Sequence, residues 1–134
     1  MTSQPPPATV VLVHGAWHGA WCWAALQHAL DDRGIPSLAV DLPGHGASTL
    51  PLGDLHGDAA HVGAVLDRID APVVLVGHSY GGAVITQAAA ERSDVAHLVY
   101  LAAFVPAAGE SVISLLRSMP AAATLLDAAV QPGP

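Results

Sequence analysis

Lysine is absent from this sequence, and the four arginines face eleven acidic residues, for a formal net charge of -7 at pH 7. So few cations cannot line a face that neutralises phosphates, which sets nucleic acid aside as a partner. Cysteine occurs once, at Cys22. That excludes an internal disulfide framework and fits a reducing compartment. No apolar run approaches the ~18 residues needed to cross a bilayer. Met1 to Pro7 is polar and proline-rich, without the charged-then-apolar order of a signal peptide. A cytoplasmic protein with no membrane partner is the expectation. Among the eight histidines there is no His-Glu-x-x-His motif or Cys/His cluster, so neither a metal nor another cofactor is expected.

What is present is apolar. The 134 residues are 52% hydrophobic and 11% charged, which suits one domain with a real core. Residues 1–8 read as a flexible tail, with Pro5-Pro6-Pro7 favouring extended backbone. Short strands are expected at Thr9 to Val13, Ile35 to Val40, Pro72 to Val76 and Val95 to Phe104, apolar on both faces as in a parallel sheet. Helical spacing appears over Ala20 to Arg33, Leu55 to Ile69 and Gly81 to Arg92. Strand and helix alternate across 9–105, which predicts an α/β fold, a parallel sheet of about four strands with flanking helices. Residues 106–134 break that pattern, with short helices expected over Ser111 to Arg117 and Ala121 to Val130.

The chain is organised around Gly77-His78-Ser79-Tyr80-Gly81-Gly82. An apolar strand runs into Gly-x-Ser-x-Gly and then into a helix, the sequence form of a nucleophile elbow. Gly77 and Gly81 suit a turn too tight for side chains on its flanks. Ser79 then sits at the tip, with free N–H groups and a helix dipole beside its hydroxyl. The rival reading, a dinucleotide-binding turn, needs Gly-x-Gly-x-x-Gly, and Ser79 occupies the place of its second glycine. In an open parallel sheet, loops leaving the carboxyl ends of the strands share one crevice. The loop after Val13 is placed to offer the Ala16 N–H, and the residue after the serine offers the Tyr80 N–H. Two such donors form an oxyanion hole, each worth roughly 3–4 kcal/mol of barrier. Trp17 is a candidate for lining the pocket, whereas Trp21 and Trp23 read as helix packing.

The base is harder to find. In elbow hydrolases the chain order is serine, acid, histidine. After Ser79 the only histidine is His97, at the start of a strand and so at the wrong end of the sheet. Asp94 shares that placement, and Asp127 lies beyond the core. His14, His18, His45 and His78 all precede Ser79, with His14 and His78 reading as packing or turn-fixing residues. Asp41 reads as ordering its own loop.

The run Val11-Leu12-Val13-His14-Gly15-Ala16-Trp17-His18-Gly19-Ala20-Trp21-Cys22-Trp23 resembles the opening of one branch of the α/β-hydrolase superfamily. That branch holds hydroxynitrile lyases, methyl-salicylate-type methylesterases and similar bacterial esterases. Asp41-Leu42-Pro43-Gly44-His45-Gly46 and the serine elbow fit it in the same order, and Leu98 to Pro106 resembles its next strand and the exit into a lid. The resemblance implies a truncated α/β-hydrolase fold, with 9–105 as the amino-terminal half of the core and 106–134 as the start of a helical lid. It implies Ser79 as nucleophile, with Ala16 and Tyr80 as the oxyanion hole. Members of the branch carry the acid and histidine on later strands, which have no counterpart here. The expected chemistry is hydrolysis of a small apolar ester, with this chain inactive alone. Cyanohydrin cleavage on the same scaffold and a non-catalytic small-molecule binder or remnant are the alternatives. An apolar fourth strand without its usual neighbours also predicts self-association through an uncovered edge.

Overall fold

Four parallel strands build the sheet: β1 (Thr9–Val13), β2 (Ser37–Val40), β3 (Val73–His78) and β4 (Val95–Leu101), in the order β2-β1-β3-β4. The computed structural model describes residues 6–119. Among these residues four α-helices accompany the sheet: α1 (Ala24–Asp32), α2 (Leu55–Leu66), α3 (Tyr80–Ala89) and α4 (Val112–Ser118).

Side-chain alternation along each strand divides the core into two layers. Val11 and Val13 of β1, with Val73 and Leu75 of β3, face α2 and α3, where Val62, Leu66, Val84 and Ile85 complete a fully buried cluster. Leu12 and Val76 face the other way and pack with Trp23. The central strands are therefore apolar over Val10–Val13 and Val73–Val76, because both of their faces are largely covered. Helix α2 starts where the Asp54 carboxylate accepts the Gly57 N–H at 2.8 Å, a normal N-cap.

The strand order has a functional consequence. From β1 the chain crosses to β2 on one side, and from β3 it crosses to β4 on the other. The two connections part between β1 and β3, which are hydrogen-bonded neighbours from Thr9↔Val73 to Val13↔Gly77. Crevices in open α/β sheets form at such a reversal, beyond the carboxyl ends of the strands. The loops after β1 and β3 are those carrying Ala16 and Ser79.

Several element boundaries differ from the sequence reading. The expected helix over 20–33 opens instead as a 3-10 turn, Ala20–Trp23, before α1 begins. Pairing in β2 starts at Ser37, after Pro36, which has no N–H to give to the ladder. Helix α2 ends at Leu66, and the expected continuation to Ile69 is made of i→i+3 turns, Arg68 N–H to Val65 and Ile69 N–H to Leu66. Strand β4 stops at Leu101 because Ala102 adopts φ 44, which no strand accommodates. The short helix expected at 111–117 is α4, opened by a reciprocal Ser111–Ser114 capping box. The helix expected over 121–130 lies outside the described residues.

Among the described residues β4 is an edge strand, and Leu98, Val99 and Leu101 are exposed along it. No helix among them is long and apolar enough to cross a membrane.

Candidate active site

Ser79 stands between the last residue of β3 and the first of α3 with φ 55 and ψ -121. A β-carbon disfavours that region, so the turn is a strained one, held by its surroundings. Those surroundings are backbone. A Cβ at Gly77 would lie 2.5 Å from the Gly81 carbonyl oxygen, and one at Gly81 would lie 2.5 Å from that of Val13. The Ser79 carbonyl accepts the Gly82 N–H at 3.0 Å and the Phe104 N–H at 3.1 Å, tying the turn to the segment after β4. The strand, the turn and α3 are thus locked together at the reversal point of the sheet.

The loop after β1 presses on this turn. A Cβ at Gly15 would sit 3.0 Å from the Ser79 Cβ, so Gly15, the residue before Ala16, packs against the serine. Among the described residues, the backbone N–H groups of Ala16 and Tyr80 make no hydrogen bond. Both residues line one cavity of about 510 Å³, together with Trp17, His18, Trp21, His45, Leu52 and Asp58. Ser79 itself is not among the lining residues; its neighbour Tyr80 is. Trp17 is 71% exposed and sits at φ 61, a second left-handed residue beside the crevice.

Trp21 departs from its expected role. It is 65% exposed, stacks on His18 with ring centroids 5.6 Å apart, and lines the cavity. Trp21 lies in the 3-10 turn Ala20–Trp23. Trp23 does pack inside, against Leu12 and Val76.

Three side chains hold the loops in place. His14 is fully buried; its Nε2 accepts the Leu42 N–H at 3.1 Å, so its Nδ1 carries the proton donated to the Gly15 carbonyl at 2.7 Å. Asp41 reaches beyond its own loop, accepting the Ala20 N–H at 2.8 Å as well as the Ala47 N–H at 3.2 Å. Asp58, which sequence reasoning passed over, is buried in the first turn of α2 and accepts the Tyr80 hydroxyl at 2.6 Å. Its only signal in the sequence was an acidic residue on the apolar face of a helix.

Burial holds the His14 imidazole below its ordinary value of 6.5, with repulsion from His45 and His18 adding to the effect, while the Gly15 carbonyl and Asp41 oppose it. The unfolded chain therefore binds a proton at His14 that the folded chain refuses. Stability from this group is complete above 6.5 and is lost as pH falls from there to the depressed folded value. Chemical denaturation between pH 8 and 5 (roughly the span over which imidazoles titrate) is expected to show this loss. The His14→Gln variant, which keeps a donor and an acceptor, is expected to show a smaller one.

No imidazole meets the serine. All eight histidines lie within the described residues, and none hydrogen-bonds the Ser79 hydroxyl. His97 is exposed on β4 and pairs with Val74, roughly 16 Å along the strands from the turn. Asp94 is engaged by Arg92 in two bonds of 2.9 and 2.8 Å. No group of three or more His, Cys, Asp or Glu among the described residues is placed to hold a metal ion.

The sequence model of the alpha/beta hydrolase family matches residues 10–133. The chain belongs to that family. Esterases and methylesterases are among the relatives it matches. It is 43% identical over 114 residues to the carbendazim hydrolyzing esterase of Nocardioides sp. (strain SG-4G), covering 81% of this chain and 47% of that one. To the pFDCC methylesterase MES16 of Arabidopsis thaliana it is 38% identical over 104 residues, covering 73% and 40%. The crystal structure of that methylesterase superposes with a TM-score of 0.67, covering 72% of this chain and 44% of the other. A pyrethroid hydrolase from Sphingobium faniae JZ-2 superposes at 0.64 with 34% identity, covering 72% and 40%. The chain spans about half the length of the curated relatives it matches.

Proposed function

We propose that this chain carries the nucleophile and the oxyanion hole of a serine esterase site that accepts a small, largely apolar ester. Ser79 Oγ attacks the ester carbonyl carbon, the Ala16 and Tyr80 N–H groups hold the developing oxyanion, and Trp17 forms part of the wall. The observation that carries this reading is the Ser79 turn at φ 55, with two unengaged backbone N–H groups beside one cavity. Preorganised donors of this kind stabilise charge that appears only in the transition state. The esterase relatives support the same reaction class.

The proton from Ser79 has no acceptor among the described residues, so an added base stands in for one. With p-nitrophenyl acetate and imidazole in the buffer, the Ser79 oxygen gains the acetyl group, p-nitrophenolate leaves and imidazole takes the proton. Peptide mapping by mass spectrometry is expected to find the acetyl group on Ser79, in proportion to the imidazole added. Acetylation confined to other residues, or unchanged in Ser79→Ala, contradicts the assignment.

A further inference from the structure

His14 does more than join two loops. It is fully buried, and its Nδ1–H donates to the Gly15 carbonyl at 2.7 Å. That carbonyl and the Ala16 N–H belong to one peptide unit. None of the described peptide bonds is cis, and in a planar trans unit the C=O and N–H point in opposite directions. Whatever holds the carbonyl therefore aims the N–H. Here the carbonyl is turned onto a ring with no exposed surface, and the N–H is left on the opposite side, on a residue that lines the cavity. The other bond to the same carbonyl, from the His18 N–H, is long at 3.3 Å and lies outside the usual range. The ring is itself fixed at its far side, where Nε2 accepts the Leu42 N–H at 3.1 Å in the loop after β2. The following peptide is held in the same manner: the His18 Nδ1–H donates to the Ala16 carbonyl at 3.0 Å, just before Trp17 at φ 61.

We infer that His14 is a positioning residue for the oxyanion hole: its Nδ1–H, by holding the Gly15 carbonyl, sets the direction of the Ala16 N–H. This rests on the proposed esterase site for the task of that N–H. His14 acts through the peptide and touches no reacting atom. The bond to the carbonyl also polarises the peptide, which makes its N–H a better donor. A donor aimed before the reaction starts costs no reorganisation when the oxyanion forms.

Two substitutions divide the ring's two bonds. Asparagine carries its amide nitrogen as far from the backbone as Nδ1, so His14→Asn keeps the Gly15 bond and gives up the Leu42 bond. Glutamine carries its amide as far out as Nε2, so His14→Gln keeps the Leu42 bond and gives up the Gly15 bond. The residual dipolar coupling of the Ala16 N–H, measured by NMR on the whole chain, reads the direction of that bond and needs no turnover. It is expected to be the same in the native chain and His14→Asn, and to change in His14→Gln. The rate of Ser79 acetylation by p-nitrophenyl acetate with added imidazole is expected to follow the coupling. In His14→Gln it falls on the order of 10²-fold at saturating ester, the loss on removing one oxyanion donor, with little change in the ester concentration for half-maximal rate. His14→Asn is expected to recover most of that rate, although it gives up the bond between the loops. A coupling unchanged in His14→Gln overturns the inference, and so does an acetylation rate that falls equally in both variants, the result of a merely structural role. Should His14→Gln fail to fold, His14→Asn decides alone: a changed coupling there overturns the inference and an unchanged one upholds it. Native chain that is never acetylated at Ser79 marks failure of the esterase reading, and the coupling still answers for His14.

Discussion

Ester hydrolysis by the purified chain is expected to run about a millionfold below that of a family member with all three catalytic side chains, the loss seen when the histidine is taken from such a site. A serine hydroxyl is a poor nucleophile until a base removes its proton. Every histidine in the sequence is placed, and none bonds to Ser79. The nearest by sequence, His78, meets the rings of Trp23 and His18 edge-on. His14 is committed at both nitrogens to the backbone. Under the proposed assignment, what remains is the pair of oxyanion donors and the cavity; in enzymes stripped of their catalytic side chains, oxyanion hole and binding alone retain roughly 10³–10⁴ of rate over water. Steady-state assays with p-nitrophenyl esters are therefore expected to give nearly the same slow rate for the native chain and for Ser79→Ala. Fast turnover that disappears in Ser79→Ala would show that one of these imidazoles reaches the serine after all.

Replacing Gly81 by alanine is expected to remove the fold rather than weaken the site. The new methyl would lie 2.5 Å from the Val13 carbonyl oxygen and 2.7 Å from that of His14. The Val13 atom belongs to the last residue of β1, which pairs with strands on both sides, and the His14 atom follows directly after it. Overpacking at side chains that can give way costs about 1–3 kcal/mol, and backbone contacts of this kind lie at or beyond that upper value. Domains hold only ~5–15 kcal/mol in total. The melting temperature is expected to fall by on the order of 10 °C or more, if a cooperative transition survives. Gly77→Ala, where the Cβ meets the Gly81 carbonyl at 2.5 Å, is expected to behave alike. Gly53→Ala is the control: its Cβ meets nothing within 4 Å, and its melting temperature is expected to be unchanged. Calorimetry on the three variants separates a tight-turn requirement from a general intolerance of alanine.

The fate of the individual expectations has a common physical pattern. Strands β1 and β3 were legible because a strand covered on both faces is apolar along its central run, here Val10–Val13 and Val73–Val76. The turn at Ser79 was legible because only glycine fits where two backbones cross, so Gly77 and Gly81 announce the crossing. Trp21 was misread because apolar spacing does not say which large side chain of a short turn goes inside; Trp23 fills the core beside Leu12 and Val76 while Trp21 lines the cavity.

Sequence alone determined the class of fold, the place of the serine and the lack of a following histidine at the right end of the sheet, since each depends on residue type and order along the chain. Only the tertiary structure decided that the strands run β2-β1-β3-β4, that the Ala16 loop therefore meets Ser79, and that Asp58 and Tyr80 share a hydrogen bond across 22 residues. Such facts concern which distant segments become neighbours. Local propensity and spacing carry no term for that; it is set by how both faces of the sheet are covered at once.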